Sequence, residues 1–137
     1  MAVRGDGMAK NVIITVNRKA RTVEVSPERI AVEGECKQGH FIVDFADGFI
    51  DGSAVLEVLI CNCGEKGYIT LEKDGETYKG EIAECITQHH GNVKLQVKIT
   101  QEADADGNTP IYKSVIFTVK VEESINATQE LTRTVAR

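Results

Sequence analysis

The stretch that decides the fold is Ile111-Tyr112-Lys113-Ser114-Val115-Ile116-Phe117-Thr118-Val119-Lys120-Val121. From Ser114 onward it alternates, which predicts a strand with one buried face. We place on the buried face Val115, Phe117, Val119 and Val121, and on the other face Ser114, Thr118 and Lys120. The alternation stops at Glu122, and residues 123–128 are polar and compatible with a helix. The sequence therefore predicts a closing strand followed by a tail of different character.

The composition is that of one soluble globular domain. The chain has 137 residues, of which 42% are hydrophobic and 27% charged. At this length roughly two thirds of the surface of the unfolded chain can be buried on folding. With four Phe, three Tyr and no Trp, the core must consist mainly of Val, Ile and Leu. Because β-branched residues favour strands, we expect a β-rich protein.

The charge of the chain excludes several classes of partner. The net charge is -5, the pI is about 5.2, and no run of Lys or Arg offers a basic patch to phosphates. The apolar runs are shorter than the roughly 20 residues that span a bilayer. Residues 1–10 lack the apolar stretch of a secretory signal. We expect neither nucleic acid nor a membrane as partner, and synthesis in a cytoplasm where cysteines stay reduced.

Alternating segments separated by turn residues recur along the chain. A first hairpin turns at Asn17–Ala20 and ends at Pro27, and Asp74-Gly75 predicts a second hairpin. The segment Ala54–Cys61 is apolar on both faces except at Glu57, which predicts a central strand. About eight short strands, with no long helix before residue 122, are typical of a β-sandwich or a small barrel. We assign an all-β, immunoglobulin-like β-sandwich over residues 11–121, preceded by a disordered segment, residues 1–10.

The C-terminal tail, residues 122–137, is predicted to need a partner. Ile125, Leu131 and Val135 lie near helical spacing. Only about two turns can form before the chain ends, and isolated helices of that length are marginal in water. We predict that these three residues mediate assembly into a homo-oligomer such as a trimer.

The cysteines and histidines raise a zinc hypothesis, which their spacing disfavours. Zinc usually takes two of its ligands from a C-x(2–4)-C motif. The one close pair here is Cys61-Asn62-Cys63, although Cys85 and His89 have the i, i+4 spacing of neighbours on a helix. The other residues that would be available as ligands are Cys36, His40 and His90. We expect no metal, and instead interpret Cys61 and Cys85 as small core residues and Cys63 as a loop thiol.

Three further motifs are interpreted without a catalytic role. Asp104–Asn108 resembles a calcium loop, but the glycine and the glutamate that such a loop requires are misplaced. His89-His90, which follow Thr87 and Gln88, are interpreted as part of a surface turn rather than as a general base. Asn126-Ala127-Thr128 matches a glycosylation acceptor, which has no meaning without a secretory signal. We assign no catalytic and no cofactor-binding residue, and expect a protein that is not an enzyme.

Three segments together resemble the N-terminal domain of phage baseplate upper proteins and of related tail or head-fibre proteins from Gram-positive hosts. The resemblance covers roughly residues 11–130 and rests on Phe45–Gly52, Pro110–Ser114 and Phe117–Ala127. It implies a β-sandwich that docks onto the virion, then a helical neck and a distal receptor-binding region. This chain ends at Arg137, where the longer relatives continue, and Cys61-Asn62-Cys63 is not expected from that family.

The resemblance implies a structural protein of a bacteriophage or prophage particle. Its role is to dock in a baseplate, tail or head fibre; its partners are other virion proteins, and it reaches the virion after synthesis in the bacterial host cytoplasm. The alternative is a small carbohydrate- or surface-binding β-sandwich module. Such sites present aromatic rings to sugars, and the rings available for this are those of Tyr68, Tyr78 and Tyr112.

Overall fold

The computed structural model describes residues 10–35, 39–125 and 130–131 of the chain. Within these ranges the chain forms ten strands and one short helix. In chain order they are β1 Lys10–Asn17, β2 Thr22–Ser26, β3 Arg29–Val32, β4 Gly39–Phe45, β5 Ser53–Ile60, β6 Glu65–Asp74, β7 Thr77–Glu81, α1 Glu84–Thr87, β8 Gly91–Thr100, β9 Ile111–Lys113 and β10 Phe117–Glu122. No helix in this part of the chain has the length and apolar character needed to cross a membrane.

The strands form one continuous sheet that is nearly closed into a barrel-like shape. The strand order is β2-β1-β4-β7-β6-β5-β8-β10-β3, and β9 pairs with β8 beside β10. The two terminal strands of this order, β2 and β3, are consecutive in the chain and are separated only by Pro27 and Glu28. The all-β class is confirmed, but the immunoglobulin-like sandwich is not. The reason is strand β6, which pairs with β5 through residues 65–71 and with β7 through residues 72–74, and so joins the two layers that a sandwich keeps apart.

Strand β6 divides the sheet into two halves. The first half-sheet contains β2, β1, β4, β7 and the end of β6, and the second contains the rest of β6 with β5, β8, β9, β10 and β3. The pairs β1–β4 and β10–β3 are parallel, and the other pairs are antiparallel. At the junction Gly80 lies so close to β6 that a Cβ atom would sit 2.7 Å from Leu71 Cδ2. Glycine at this position lets β6 cross from one half to the other.

Both half-sheets bury apolar side chains in one shared core. The most deeply buried are Val12, Ile14, Val16, Phe41 and Val43 of the first half, and Leu56, Val93, Leu95, Val97, Ile99 and Val121 of the second. Burial of each such side chain contributes roughly 1.5–3 kcal/mol. The predicted central position of Ala54–Cys61 is confirmed, because β5 pairs with β6 on one side and with β8 on the other.

The two predicted hairpins are confirmed. Strands β1 and β2 form the first predicted hairpin, and β6 and β7 form the second. The second turns at Gly75, whose φ of 64° lies in the left-handed region that glycine adopts at little cost. The first hairpin is tied down by Asp47, whose Oδ2 accepts a hydrogen bond from Lys19 N at 2.9 Å. The backbone N–H groups of Lys19 and Arg18, together with the Arg18 charge, lower the pKa of this carboxyl against a smaller opposing effect of desolvation.

The predicted closing strand, Ile111–Val121, is wrong in one detail. It is split into β9 and β10 by a bulge at Ser114–Ile116, because Lys113 pairs with Lys98 whereas Phe117 pairs with Leu95. The extra residue changes which side chains face inward: Ser114 is buried, and Val115, predicted to be buried, is 44% exposed. Phe117, Val119 and Val121 do face the core as predicted.

The remaining differences concern short elements and the ends of the chain. Strand β3 has no local sequence signal, because its pairing with β10 is long-range. Strand β10 extends one residue beyond the predicted boundary, to Glu122. The predicted disorder of residues 1–10 falls outside the described part of the chain, apart from Lys10, which begins β1.

Candidate docking surfaces

The outer face of the second half-sheet is rich in cations. Alternation along the strands turns apolar residues to the core and their neighbours to solvent. The outward positions of this half carry six cations and two carboxylates: Lys66, Arg29, Lys94, Lys98, Lys113 and Lys120 against Glu57 and Glu122. We name these residues the basic face.

Three ion pairs engage both carboxylates of the basic face and, among the described residues, leave two lysines of its central strand unpaired. Glu57 Oε1 lies 3.1 Å from Lys113 Nζ, and Glu122 Oε2 lies 3.1 Å from Arg29 Nε and 4.0 Å from Lys120 Nζ. In the part of the chain that the structure describes, Lys94 and Lys98 of the central strand β8 make no ion pair. An uncompensated pair of ammonium groups on a chain of negative net charge favours an acidic partner at this position.

Apolar side chains accompany the lysines on this face. Val55 and Leu59 of β5 are half-buried, and each pairs with a lysine of β8: Val55 with Lys98 and Leu59 with Lys94. Beside them Tyr68 is 70% exposed and Ile116 of the bulge is 61% exposed. The bulge itself is held by Ser114, whose Oγ accepts a hydrogen bond from Val97 N at 3.0 Å. A fixed backbone therefore presents Ile116 to solvent.

The outer face of the first half-sheet has the opposite charge. Its outward positions carry five carboxylates and one lysine: Glu24, Asp44, Glu72, Asp74 and Glu81 against Lys79. We name these residues the acidic face. Its centre is apolar too, since Ile13 of β1 pairs with Ile42 of β4 and Ile13 is 38% exposed. The two faces thus share a pattern, an apolar centre among charges, and differ in sign.

The tail leaves the domain at a polar cluster around Glu33. Oε1 of Glu33 lies 3.5 Å from the backbone N and from the Oγ of Ser124, both of which donate to it. Oε2 of the same carboxylate is 3.2 Å from Nδ1 of His90. His90, predicted to lie in a surface turn, is therefore half-buried and helps to fix the direction in which the chain continues after β10.

The residues predicted to mediate assembly are not tested by this structure. Ile125 is 94% exposed and Leu131 is 93% exposed, whereas Val135 lies outside the described residues. Ile125 lies outside the helix and strands. Apolar side chains at such exposure remain available for a partner, so the assembly role stays a prediction.

The predicted core position of two cysteines is wrong. Cys61, Cys63 and Cys85 are all exposed, because Cys61 and Cys63 occupy the turn between β5 and β6 and Cys85 lies on the outer side of α1. Cys36 lies outside the described residues. Across the positions that the structure describes, no three His, Cys, Asp or Glu side chains come together as metal ligands.

The acidic loop between β8 and β9 is a turn stabilised from within. Oδ1 of Asp104 accepts hydrogen bonds from the backbone N of Asp106 and of Asn108, each at 2.9 Å. Gly107, with φ 84°, closes the turn through a bond from its N to Asp104 O. The interpretation of this motif as a turn is confirmed.

Of the three tyrosines, only Tyr68 exposes its ring. Tyr78 is buried against Phe45 and Phe49, and its Oη donates to Ile50 O at 2.6 Å. Tyr112 is half-buried against the core. Burial raises the pKa of both of these phenols. Tyr78 and Tyr112 are thus structural residues, and the aromatic platform expected of a sugar site is reduced to one ring.

Comparison with solved structures finds this fold in a phage protein. The N-terminal domain of phage TP901-1 ORF48 superposes with a TM-score of 0.54, over 82% of this chain and 98% of that one, at 10% sequence identity. At such low identity the likeness establishes a shared fold. No protein-family model matches the sequence, and no curated protein matches it.

Proposed function

We propose that this protein is a non-enzymatic structural component of a bacteriophage or prophage particle, in which it acts as a docking module of the baseplate, tail or head fibre. The observation that carries the proposal is the fold shared with the N-terminal domain of phage TP901-1 ORF48. The sequence resemblance to phage baseplate and fibre proteins rests on motifs rather than on the fold, and it supports the same class of protein. Its partners are other virion proteins.

The surface of the domain supports a role in binding. Each half-sheet presents a charged face with an apolar centre, and such mixed surfaces suit protein contacts. Among the residues that the structure describes, two polar side chains are buried, Thr87 and Ser114, and both bond to backbone groups. Thr87 Oγ1 donates to Glu35 O, and Ser114 Oγ donates to Val115 O, so both serve the fold. The polar residues that remain for function are those on the outer faces.

Particle fractionation tests the proposal. Particles are prepared from a culture producing the phage that encodes the chain, banded on a density gradient and probed by mass spectrometry. We expect the chain to band with the particles and to stay with them after a wash in high salt. Recovery only at the top of the gradient, with capsid proteins in the particle band, would overturn the proposal.

We further propose that Ile125, Leu131 and Val135 assemble subunits. Glu33 anchors the exit of the tail at Ser124, so the apolar residues that follow start from a defined point on each copy. Replacing Ile125 and Leu131 together by Asp removes apolar surface that needs a partner. Light scattering is expected to show a loss of oligomer in this double variant and no loss in a Thr109→Asp control on the exposed loop. An unchanged mass in the double variant would refute this assignment.

One observation favours the alternative, a carbohydrate- or surface-binding module. The exposed ring of Tyr68 borders a groove of about 850 Å³, which His40, Lys73 and Glu81 also line. A ring and charged groups around a groove can hold a sugar through stacking and hydrogen bonds. A glycan array with the native chain and with Tyr68→Ala tests this: binding lost in the variant would favour the module, and no binding by either would remove it.

A further inference from the structure

We infer that copies of this chain associate face to face, with the basic face of one copy on the acidic face of the next. The occupant of each face is therefore a second copy of the chain. The contact is distinct from the tail contact and does not depend on the phage role, because it follows from the charge and shape of the two half-sheets alone.

The charges of the two faces match in number and oppose in sign. The basic face has six cations and two carboxylates, and the acidic face has five carboxylates and one lysine, so each carries a formal excess of four charges. Opposite potentials of this kind steer two surfaces together and select their orientation. Contact between two basic or two acidic faces would bring like charges together and is disfavoured.

The apolar centres of the two faces are complementary as well. At the middle of the basic face Val55 and Leu59 flank Glu57, whose charge is paired with Lys113, and Ile13 and Ile42 lie at the middle of the acidic face. Stacking one face on the other would remove these half-exposed side chains from water while the charges meet around them. This arrangement has the apolar core and polar rim found in protein interfaces.

The contact joins different surfaces of the two copies and is therefore heterologous. Because both faces point outward from one core, a copy bound through its basic face still offers its acidic face. Heterologous contacts of this kind produce rings when the rotation closes and open stacks when it does not.

The size of the faces makes the association weak. Four neighbouring strands about 4.8 Å apart, with about seven residues of 3.3 Å each, give roughly 450 Å² on each copy. A stable complex buries about 800 Å² on each partner. The curvature of a nearly closed sheet reduces the contact further. We therefore expect association at high protein concentration and low salt, where screening of the charges is smallest.

Charge exchange between the faces tests the inference in the full chain. To remove any contribution of the tail, every protein carries Ile125→Asp and Leu131→Asp. Sedimentation velocity at low salt is expected to show a mass rising above the 15.0 kDa of the monomer as concentration increases. Lys94→Glu with Lys98→Glu removes the net charge of the basic face, and Asp44→Lys with Glu81→Lys removes that of the acidic face. Each of these two variants should have an association constant lower by at least tenfold.

Restoration is the decisive result. Each pair of substitutions leaves its own face with no net charge and the opposite face with its excess of four charges. An equimolar mixture of the two variants can therefore join the intact acidic face of one to the intact basic face of the other and should associate again. A Glu102→Lys control on the loop before β9 should leave association unchanged, and thermal unfolding should show that each variant is folded. A chain that is monomeric at about 1 mM in low salt, or an equimolar mixture of the two variants that remains monomeric, would overturn the inference.

Discussion

The two half-sheets bury the same kind of side chain and expose opposite charges. Inward, both present Val, Ile, Leu and Phe to one core. Outward, the second half-sheet carries lysines around Val55 and Leu59, and the first carries carboxylates around Ile13 and Ile42. The fold therefore requires apolar residues on the inward face of each strand and leaves the residues of the outward face unconstrained by packing. Function is therefore expected on the faces where the two halves differ.

The largest expected effect on stability comes from substitutions in the core that the two half-sheets share. Phe41→Ala in β4 and Leu56→Ala in β5 each remove a fully buried side chain, at a cost of about 3–5 and 2–5 kcal/mol. Because the core is common to both halves, either variant should lower the stability of the whole domain in a single transition. Urea unfolding followed by circular dichroism and by tyrosine fluorescence measures this. Two separate transitions would show that the halves are independent.

The next largest loss of stability is expected at Gly80, where β6 crosses from one half-sheet to the other. An alanine Cβ at Gly80 would lie 2.7 Å from Leu71 Cδ2, 3.1 Å from Ile69 Cγ2 and 3.2 Å from Thr70 O. Gly80→Ala should therefore destabilise the domain by about 1–3 kcal/mol through overpacking. Gly67→Ala is the matched control, since no heavy atom lies within 4 Å of its Cβ position. Equal stability of the two variants in urea would contradict the role of Gly80 in the crossing of β6.

Many of the residues that face the shared core could be predicted from the sequence, because alternation and turn signals depend on residues close together in the chain. Strand β8 alternates without a break, and Asp74-Gly75 specifies the hairpin between β6 and β7 through residues adjacent in the chain. The bulge at Ser114–Ile116 was missed because Val115 and Ile116 are both apolar, so the alternation can be read in either phase. Only the opposite strand, β8, decides between the phases.

The charged faces could not be predicted, because they depend on which strands are neighbours. The spacing of Lys94 and Lys98 shows that both lie on one side of β8. It does not show that Lys113 of β9, which pairs with β8, and Lys66 of β6, which pairs with β5, lie on the same side of the sheet. That follows from long-range pairing. The topology, set by burial on the other face, brings these charges together.

A smaller effect is expected at alkaline pH, in the core of the first half-sheet. Burial raises the pKa of Tyr78 above its ordinary value of 10.0. In the unfolded chain the phenol ionises near that value, whereas the folded protein holds it protonated. Its contribution to stability is thus present below about pH 10 and is lost as the pH rises through the raised pKa. Tyr78→Phe should lose less stability than the native chain between about pH 9 and pH 11.

Two features of the alkaline experiment make it specific. The same substitution removes the hydrogen bond to Ile50 O, so Tyr78→Phe should be less stable by about 1 kcal/mol at neutral pH. Tyr68→Phe is the control, because that ring is 70% exposed. If the native chain and Tyr78→Phe respond identically to alkaline pH in urea unfolding, Tyr78 ionises equally in both states and the predicted linkage is absent.

The smallest effect on stability is expected from substitutions on the charged outer faces, where the two half-sheets differ most. Lys98→Ala on the basic face and Asp44→Ala on the acidic face remove charges that point away from the core. Each should change the unfolding free energy by no more than about 0.5 kcal/mol. The same substitutions should weaken the association of copies, since each deletes one charge from a face. Stability and association would then vary independently, as expected if the inner faces build the domain and the outer faces connect it. A loss of several kcal/mol in either variant would show that the outer charges also belong to the fold.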